Sequence, residues 1–178
     1  PGPLAYYWPT LRIMREILHE LLAAYRAGEP VAMATVIRTW KSAPRPAGAA
    51  MLVTSGHEAV GSVSGGCVEG ALFDVGLEIL DNGVPQYRQY GISDDEAFGV
   101  GLTCGGIIEV FAERVDTDTW PELEGVAASV EAEEAVAIAT IVAAPDDVAE
   151  RIGRHLVIRP FGGEGSLGTE RLDDTVRE

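Results

Sequence analysis

The stretch Gly61-Ser62-Val63-Ser64-Gly65-Gly66-Cys67-Val68-Glu69-Gly70 joins a strand-like pattern to a helical one, and the rest of the chain arranges itself around that junction. Before it, residues 49–54 and 57–62 read as two short strands joined at Ser55-Gly56. After Cys67, the apolar residues Val68, Ala71, Leu72, Val75, Ile79 and Leu80 recur at helical spacing as far as Asp81-Asn82-Gly83, a left-handed helix terminator. Two glycines let the backbone turn sharply and come close to a ligand. Cys67 falls where the helix opens, and there free N–H groups and the positive end of the dipole favour an anion. A thiol in such a place can fall from a pKa of about 8.5 into the range of roughly 3.5–7.5. The functional reading is a thiolate beside an anion cradle. The plainer reading is a common glycine-rich turn followed by a cysteine acting as a small buried hydrophobe, and the stretch alone leaves both open.

Working outward, Ile13, Ile17, Leu18, Leu21, Leu22 and Tyr25 fall at helical spacing, with Thr10 as a cap and Gly28 as a stop. Residues 31–39 (VAMATVIRT) form a strand apolar enough to be buried on both faces. The loop Trp40-Lys41-Ser42-Ala43-Pro44-Arg45-Pro46-Ala47-Gly48 follows, and Arg38, Lys41 and Arg45 gather there in a chain otherwise poor in cations. An anionic ligand would find its counter-charge here, since arginine grips phosphate bidentately; a solvated loop with ordinary surface charge is the alternative. Downstream, residues 86–91 read as a strand and Gly99-Val100-Gly101-Leu102-Thr103-Cys104-Gly105-Gly106 as a second glycine-rich stretch feeding a strand over 107–113. Residues 120–133 read as an acidic surface helix.

The second half repeats the first. Val136-Ala137-Ile138-Ala139-Thr140 matches Val31-Ala32-Met33-Ala34-Thr35, and Leu156-Val157 with Gly165-Ser166-Leu167-Gly168 match Leu52-Val53 with Gly61-Ser62-Val63-Ser64 at nearly the same offset. Thr169 and Glu170 stand where the first copy has its Gly-Gly-Cys. The expected fold is therefore α/β: a mixed β-sheet flanked by helices, in two pseudo-repeated halves of strand, loop, strand, Gly-Ser turn and helix. The first half carries the site and the second serves as scaffold.

Composition limits the function classes. The chain has 178 residues, with 13 Lys and Arg against 28 Asp and Glu, a formal charge of −15. So acidic a surface repels phosphate backbones, which argues against nucleic-acid binding. Two cysteines make no disulfide scaffold, and His19, His57 and His155 have no chelating spacing. No Ser–His–Asp arrangement has the motif context of a hydrolase. No apolar run approaches a membrane span, so a cytoplasmic protein is expected. Residues 1–13 read as a tail, 14–178 as one domain, and the stop within the helical pattern at 172–178 as a fragment or a short form.

Taken together, Ser42-Ala43-Pro44-Arg45 with Gly48-Ala49, the 61–70 stretch and Gly101-Leu102-Thr103-Cys104-Gly105-Gly106 resemble the N-terminal domain of the XdhC/CoxI family, as do Val136 to Thr140 and Gly165 to Gly168. Members are accessory proteins of molybdenum hydroxylases of the xanthine dehydrogenase and CO dehydrogenase types. The resemblance implies a non-enzymatic chaperone that binds the molybdenum cofactor, protects its sulfurated form and delivers it to the apo-enzyme, with a cysteine desulfurase as a further partner. The C-terminal Rossmann-like domain common in full-length members has no G-x-G-x-x-G fingerprint here. Cys67 is then the expected contact to molybdenum or its sulfur, a soft thiolate suiting a soft centre. Ser64, Gly65, Gly66, Cys104, Gly105, Gly106 and Arg45 complete the expected site, and Glu69 favours the helix N-terminus. A homodimer is compatible with this reading. Two other classes stay open: a thiol redox protein pairing Cys67 with Cys104, and a cofactor-free interaction scaffold.

Overall fold

In the computed structural model, residues 9–91 and 106–178 are described, with side chains from Ile17 onward. The elements in order are α1 (Pro9–Ala27), β1 (Val31–Trp40), β2 (Ala50–Thr54), β3 (Ala59–Gly61), α2 (Glu69–Asn82), β4 (Gln86–Tyr90), β5 (Ile107–Val115), α3 (Leu123–Glu131), β6 (Ala137–Thr140), a 3-10 segment (Asp146–Arg151), β7 (His155–Arg159), β8 (Gly162–Gly165) and α4 (Glu170–Arg177). The α/β class and the flanking helices are as the sequence implies. The strands form a five-stranded sheet in the order β3-β2-β1-β5-β4 and a three-stranded sheet β6-β7-β8. Every pairing among the described residues is antiparallel, so the expected mixed sheet resolves into two antiparallel ones. The short links β1–β2, β2–β3 and β7–β8 account for part of this, since they leave no room for a parallel crossover.

β1 lies at the centre and is buried on both faces over its first six residues apart from the half-buried Thr35, as its mostly apolar run predicts. Ala32, Ala34 and Val36 pack with Met51, Val53, Ile108 and Val110 under Leu72, Val75 and Ile79 of α2. Val31 and Met33 face the other way, onto Ile17, Leu21 and Tyr25 of α1 and Trp120, Leu123 and Ala127 at α3. The segment read as an acidic surface helix thus contributes a buried stripe: α3 is short, and its acidic residues fill only the outer side. α2 sits so close to β2 that a Cβ on Gly76 would lie 2.6 Å from Val53. That contact fixes the height of α2 over the sheet and with it the position of the turn that precedes it.

The two halves share a ladder. Ala34 faces Met51 and Met51 faces Gly61; Ala139 faces Leu156 and Leu156 faces Gly165. Met51 therefore corresponds to Leu156, one residue away from the match of Leu52 with Leu156 in the sequence, because the second hairpin is one residue shorter. The shared backbone shows most clearly at the last strand residue. Gly61 has φ +86°, and a Cβ there would collide with the Ala50 carbonyl oxygen; Gly165 has φ +80°, and a Cβ there would collide with that of His155. A buried pair joins the second sheet to the first, His155 Nε2 lying 3.2 Å from the Glu113 carboxylate on β5. His155 Nδ1 meets the Thr140 hydroxyl at 2.9 Å, and Trp120 stacks on the imidazole at 4.3 Å between ring centres.

Candidate functional site

An antiparallel order places the ends of β1, β3 and β4 and the start of β5 at one end of the five-stranded sheet. The 41–49 loop, the 62–68 turn, Gly91 at the end of β4 and Gly106 ahead of β5 therefore gather there. Two of them touch: a Cβ on Gly106 would lie 2.8 Å from backbone atoms of Ser42 and Ala43, and one on Gly91 would collide with the Gly106 carbonyl oxygen. Cys67 and Ala43 are both partly buried against the α2-side core. Of the residues expected from the sequence, Ser64, Gly65, Gly66 and Cys67 form one turn, Gly106 lies at the same end of the sheet, and Arg45 is partly buried in the neighbouring loop. Cys104 and Gly105 lie outside the described residues. Arg38 parts company with Lys41 and Arg45. After an irregularity between Val36 and Arg38 it pairs with Glu109, on the face away from α2. There its guanidinium is 3.8 Å from the Glu109 carboxylate and 5.3 Å from the Trp40 ring centre.

The turn is organised by a residue that the sequence pattern marks only as a dipole partner. Glu69 Oε1 accepts from the Ser62 hydroxyl at 2.7 Å and from the N–H groups of Val63, Ser64 and Gly65 at 3.2, 2.9 and 3.0 Å. Its Oε2 accepts from the Ser64 hydroxyl at 2.5 Å and from the N–H groups of Gly66 and Val68 at 2.8 and 3.2 Å. The Cys67 and Val68 N–H groups also donate to Ser64 Oγ, each at 3.0 Å. Burial pushes the Glu69 carboxyl up, but hydrogen bonds from the Ser64 and Ser62 hydroxyls and from the Ser64 N–H outweigh it and hold it down to about 2. An anion cradle is indeed present, as read from the glycines and the helix start, and the chain's own carboxylate sits in it. An external anion has to meet other groups.

Gly65 and Gly66 have φ of +76° and +117°, and a Cβ on either would meet no heavy atom within 4 Å. Their glycines are therefore required by backbone conformation, and they leave the exposed side of the turn open beside Cys67. That open backbone next to a partly buried thiol suits close approach by a bulky ligand, and a soft thiol suits a soft metal centre within it. Among the described residues no cluster of three or more His, Cys, Asp or Glu could hold a metal ion by itself. No helix among them is long and apolar enough to cross a membrane.

The second half contains the same clamp. Ser166 Oγ donates to the Asp173 carboxylate at 2.7 Å, and the Leu167 N–H donates to it at 2.7 Å. Serine and acid are seven residues apart in both halves. Burial raises the Asp173 carboxyl, and the Ser166 hydroxyl and the Leu167 N–H bring it net below the usual range. The sequence does hold this signal, in the shared spacing of Gly61-Ser62 to Glu69 and Gly165-Ser166 to Asp173. It is masked by two different acids on helices whose starts differ.

Fold and turn together define an α/β domain that presents a cysteine on an acid-clamped, glycine-opened turn at one end of an antiparallel sheet. A model of the XdhC and CoxI family matches residues 24–91 and 129–178, and the chain belongs to that family. It is 36% identical over 91 residues to a probable xanthine dehydrogenase subunit of Bacillus subtilis, covering 49% of this chain and 27% of that protein. It is 35% identical over 101 residues to the molybdenum cofactor insertion chaperone PaoD of Escherichia coli, covering 57% of this chain and 31% of that one. A crystal structure of a xanthine dehydrogenase from Bacillus halodurans superposes with a TM-score of 0.63 at 26% identity, over 84% of this chain and 45% of the other. The chain thus spans less than half the length of these relatives.

Proposed function

We propose that this protein is a molybdenum-cofactor chaperone: it binds the cofactor, shields its sulfurated form and hands it to an apo-enzyme of the molybdenum hydroxylase class. Its role is accessory, with no turnover of its own, and a cysteine desulfurase supplies the sulfur upstream. The carrying observation is Cys67 on the glycine-opened turn of a family domain similar to a cofactor insertion chaperone. Cys67 is the contact to molybdenum or its sulfur, with Cys104 supporting, and the open backbone at Gly65 and Gly66 admits the pterin. Because the turn amides are occupied by Glu69, the anionic end of the cofactor falls to Arg45 and Lys41 of the adjoining loop.

Transfer tests this reading. Cofactor-loaded wild type mixed with a cofactor-free hydroxylase restores its activity, and Cys67→Ala treated identically restores none above the buffer control. Equal restoration by both proteins sinks the role of Cys67, and restoration by neither sinks delivery by this domain.

A further inference from the structure

We propose that Glu69 is the positioning residue of the site: its carboxylate is the anion for which the 62–68 turn is built, and it holds Cys67 in place through Ser64. The inference rests on the reading of Cys67 as the cofactor contact. The two carboxylate oxygens divide the donors between them, Oε1 taking Ser62, Val63, Ser64 and Gly65 and Oε2 taking Ser64, Gly66 and Val68. Ser64 is buried; its hydroxyl donates to Glu69 while its oxygen accepts the Cys67 N–H. The thiol-bearing residue is therefore linked to the carboxylate by two hydrogen bonds through the Ser64 hydroxyl. Gln at position 69 cannot replace it, because its amide NH2 would confront one of the two donor sets whichever way it turned, leaving donors unmatched.

The second half supplies the control. Asp173 clamps the equivalent turn through Ser166 and Leu167, but the position matching Cys67 is Arg171, which is exposed. Both acids hold a turn, and only Glu69 holds one with a thiol.

The experiment measures iodoacetamide alkylation of Cys67, resolved by peptide mass mapping, in wild type, Glu69→Gln, Glu69→Asp and Asp173→Asn, with thermal unfolding of each. Glu69→Gln accelerates alkylation on the order of tenfold, the equivalent of about 1.4 kcal/mol of lost positioning. Asp173→Asn lowers the unfolding temperature and leaves the rate within about twofold, because its partners Ser166 and Leu167 belong to the other turn. A wild-type rate in Glu69→Gln overturns the proposal, as does equal acceleration by Asp173→Asn, which would make the effect general loosening. Should Glu69→Gln fail to fold, Glu69→Asp decides: its shorter reach accelerates alkylation if the proposal holds, and a wild-type rate overturns it. Cofactor retention by Cys67→Ala at the wild-type level would instead sink the carrier reading and leave the alkylation result standing.

Discussion

Two turns in this molecule, 61–69 and 165–173, share a left-handed glycine at the strand end, a serine one residue on and a clamping acid seven residues past the serine. They differ in what lies between. The second closes conventionally: Thr169 is extended at φ −147° and its side chain caps α4 by accepting from the Leu172 N–H. The first has Val68 at the cap position with no side-chain cap bond, and passes through two adjacent left-handed glycines, Gly65 and Gly66, where the second has Gly168 alone. Its helix-start donors are served from Ser64 and Glu69, which leaves the outer surface bare beside Cys67. The comparison separates what the two turns share from what the first alone carries. The serine–acid clamp serves the fold in both halves, and Gly-Gly-Cys is what the first half adds to it.

The largest expected effect breaks both turns alike. Gly61→Ala and Gly165→Ala each drive a Cβ into a carbonyl oxygen in a left-handed backbone. Each lowers stability by about 3 kcal/mol or more in urea unfolding. Gly61→Ala is the worse of the two, because its Cβ would also lie 2.5 Å from Ile17 Cγ2. A loss in only one of them would show that the turns are not equivalent.

Acid sharpens the contrast next. A folded-state pKa depressed from 4.5 to about 2 contributes stability that is present above the unfolded value and is lost as pH falls through the folded one. Wild type therefore loses up to about 3 kcal/mol between pH ~4.5 and ~2 through Glu69, less whatever its partial exposure screens. Glu69→Gln flattens the stability–pH curve in that window. Asp173→Asn flattens it less, since its carboxylate serves fewer donors. Identical curves for Glu69→Gln and wild type would refute the clamp.

Thr169→Ala removes a side-chain cap and costs about 1 kcal/mol, whereas Val68→Ala removes no cap and acts only through lost packing. The smallest expected effect is none. Thr169→Gly, Glu170→Gly and Arg171→Cys, combined in a Cys67→Ala background, place a thiol in the second turn, and cofactor retention stays at background because the 41–49 loop and Gly106 do not flank it. Restored retention would show that the turn suffices without its neighbourhood.

Much of this is legible in the sequence. Gly83 ends α2 as the Asp81-Asn82-Gly83 terminator implies, with φ +71°, and the mostly apolar run that opens β1 announces the burial of its first half on both faces. The repeated Val-Ala-x-Ala-Thr strand marks the two halves. Strand direction is harder to read, because a run buried on both faces suits a parallel strand and an antiparallel centre strand alike. Grouping Arg38 with Lys41 and Arg45 assumes that neighbours in sequence share a face, and the irregularity in β1 puts Arg38 with Glu109 instead. Glu69 reads as a dipole partner because helical spacing shows where an acid lies along the chain and is silent on which backbone N–H groups fold back onto it. The Glu113–His155 pair joins strands far apart in sequence, and no local pattern announces it.

The most direct test of the central claim is cofactor retention by wild type, Cys67→Ala and Asp173→Asn. Each is incubated with molybdenum cofactor released from a donor enzyme, gel-filtered, and assayed for molybdenum and pterin. Wild type and Asp173→Asn retain both in stoichiometric amounts and Cys67→Ala retains neither, if the first turn is the site and the second its scaffold. Retention by Cys67→Ala equal to wild type, or loss in Asp173→Asn while its fold is intact, contradicts that division.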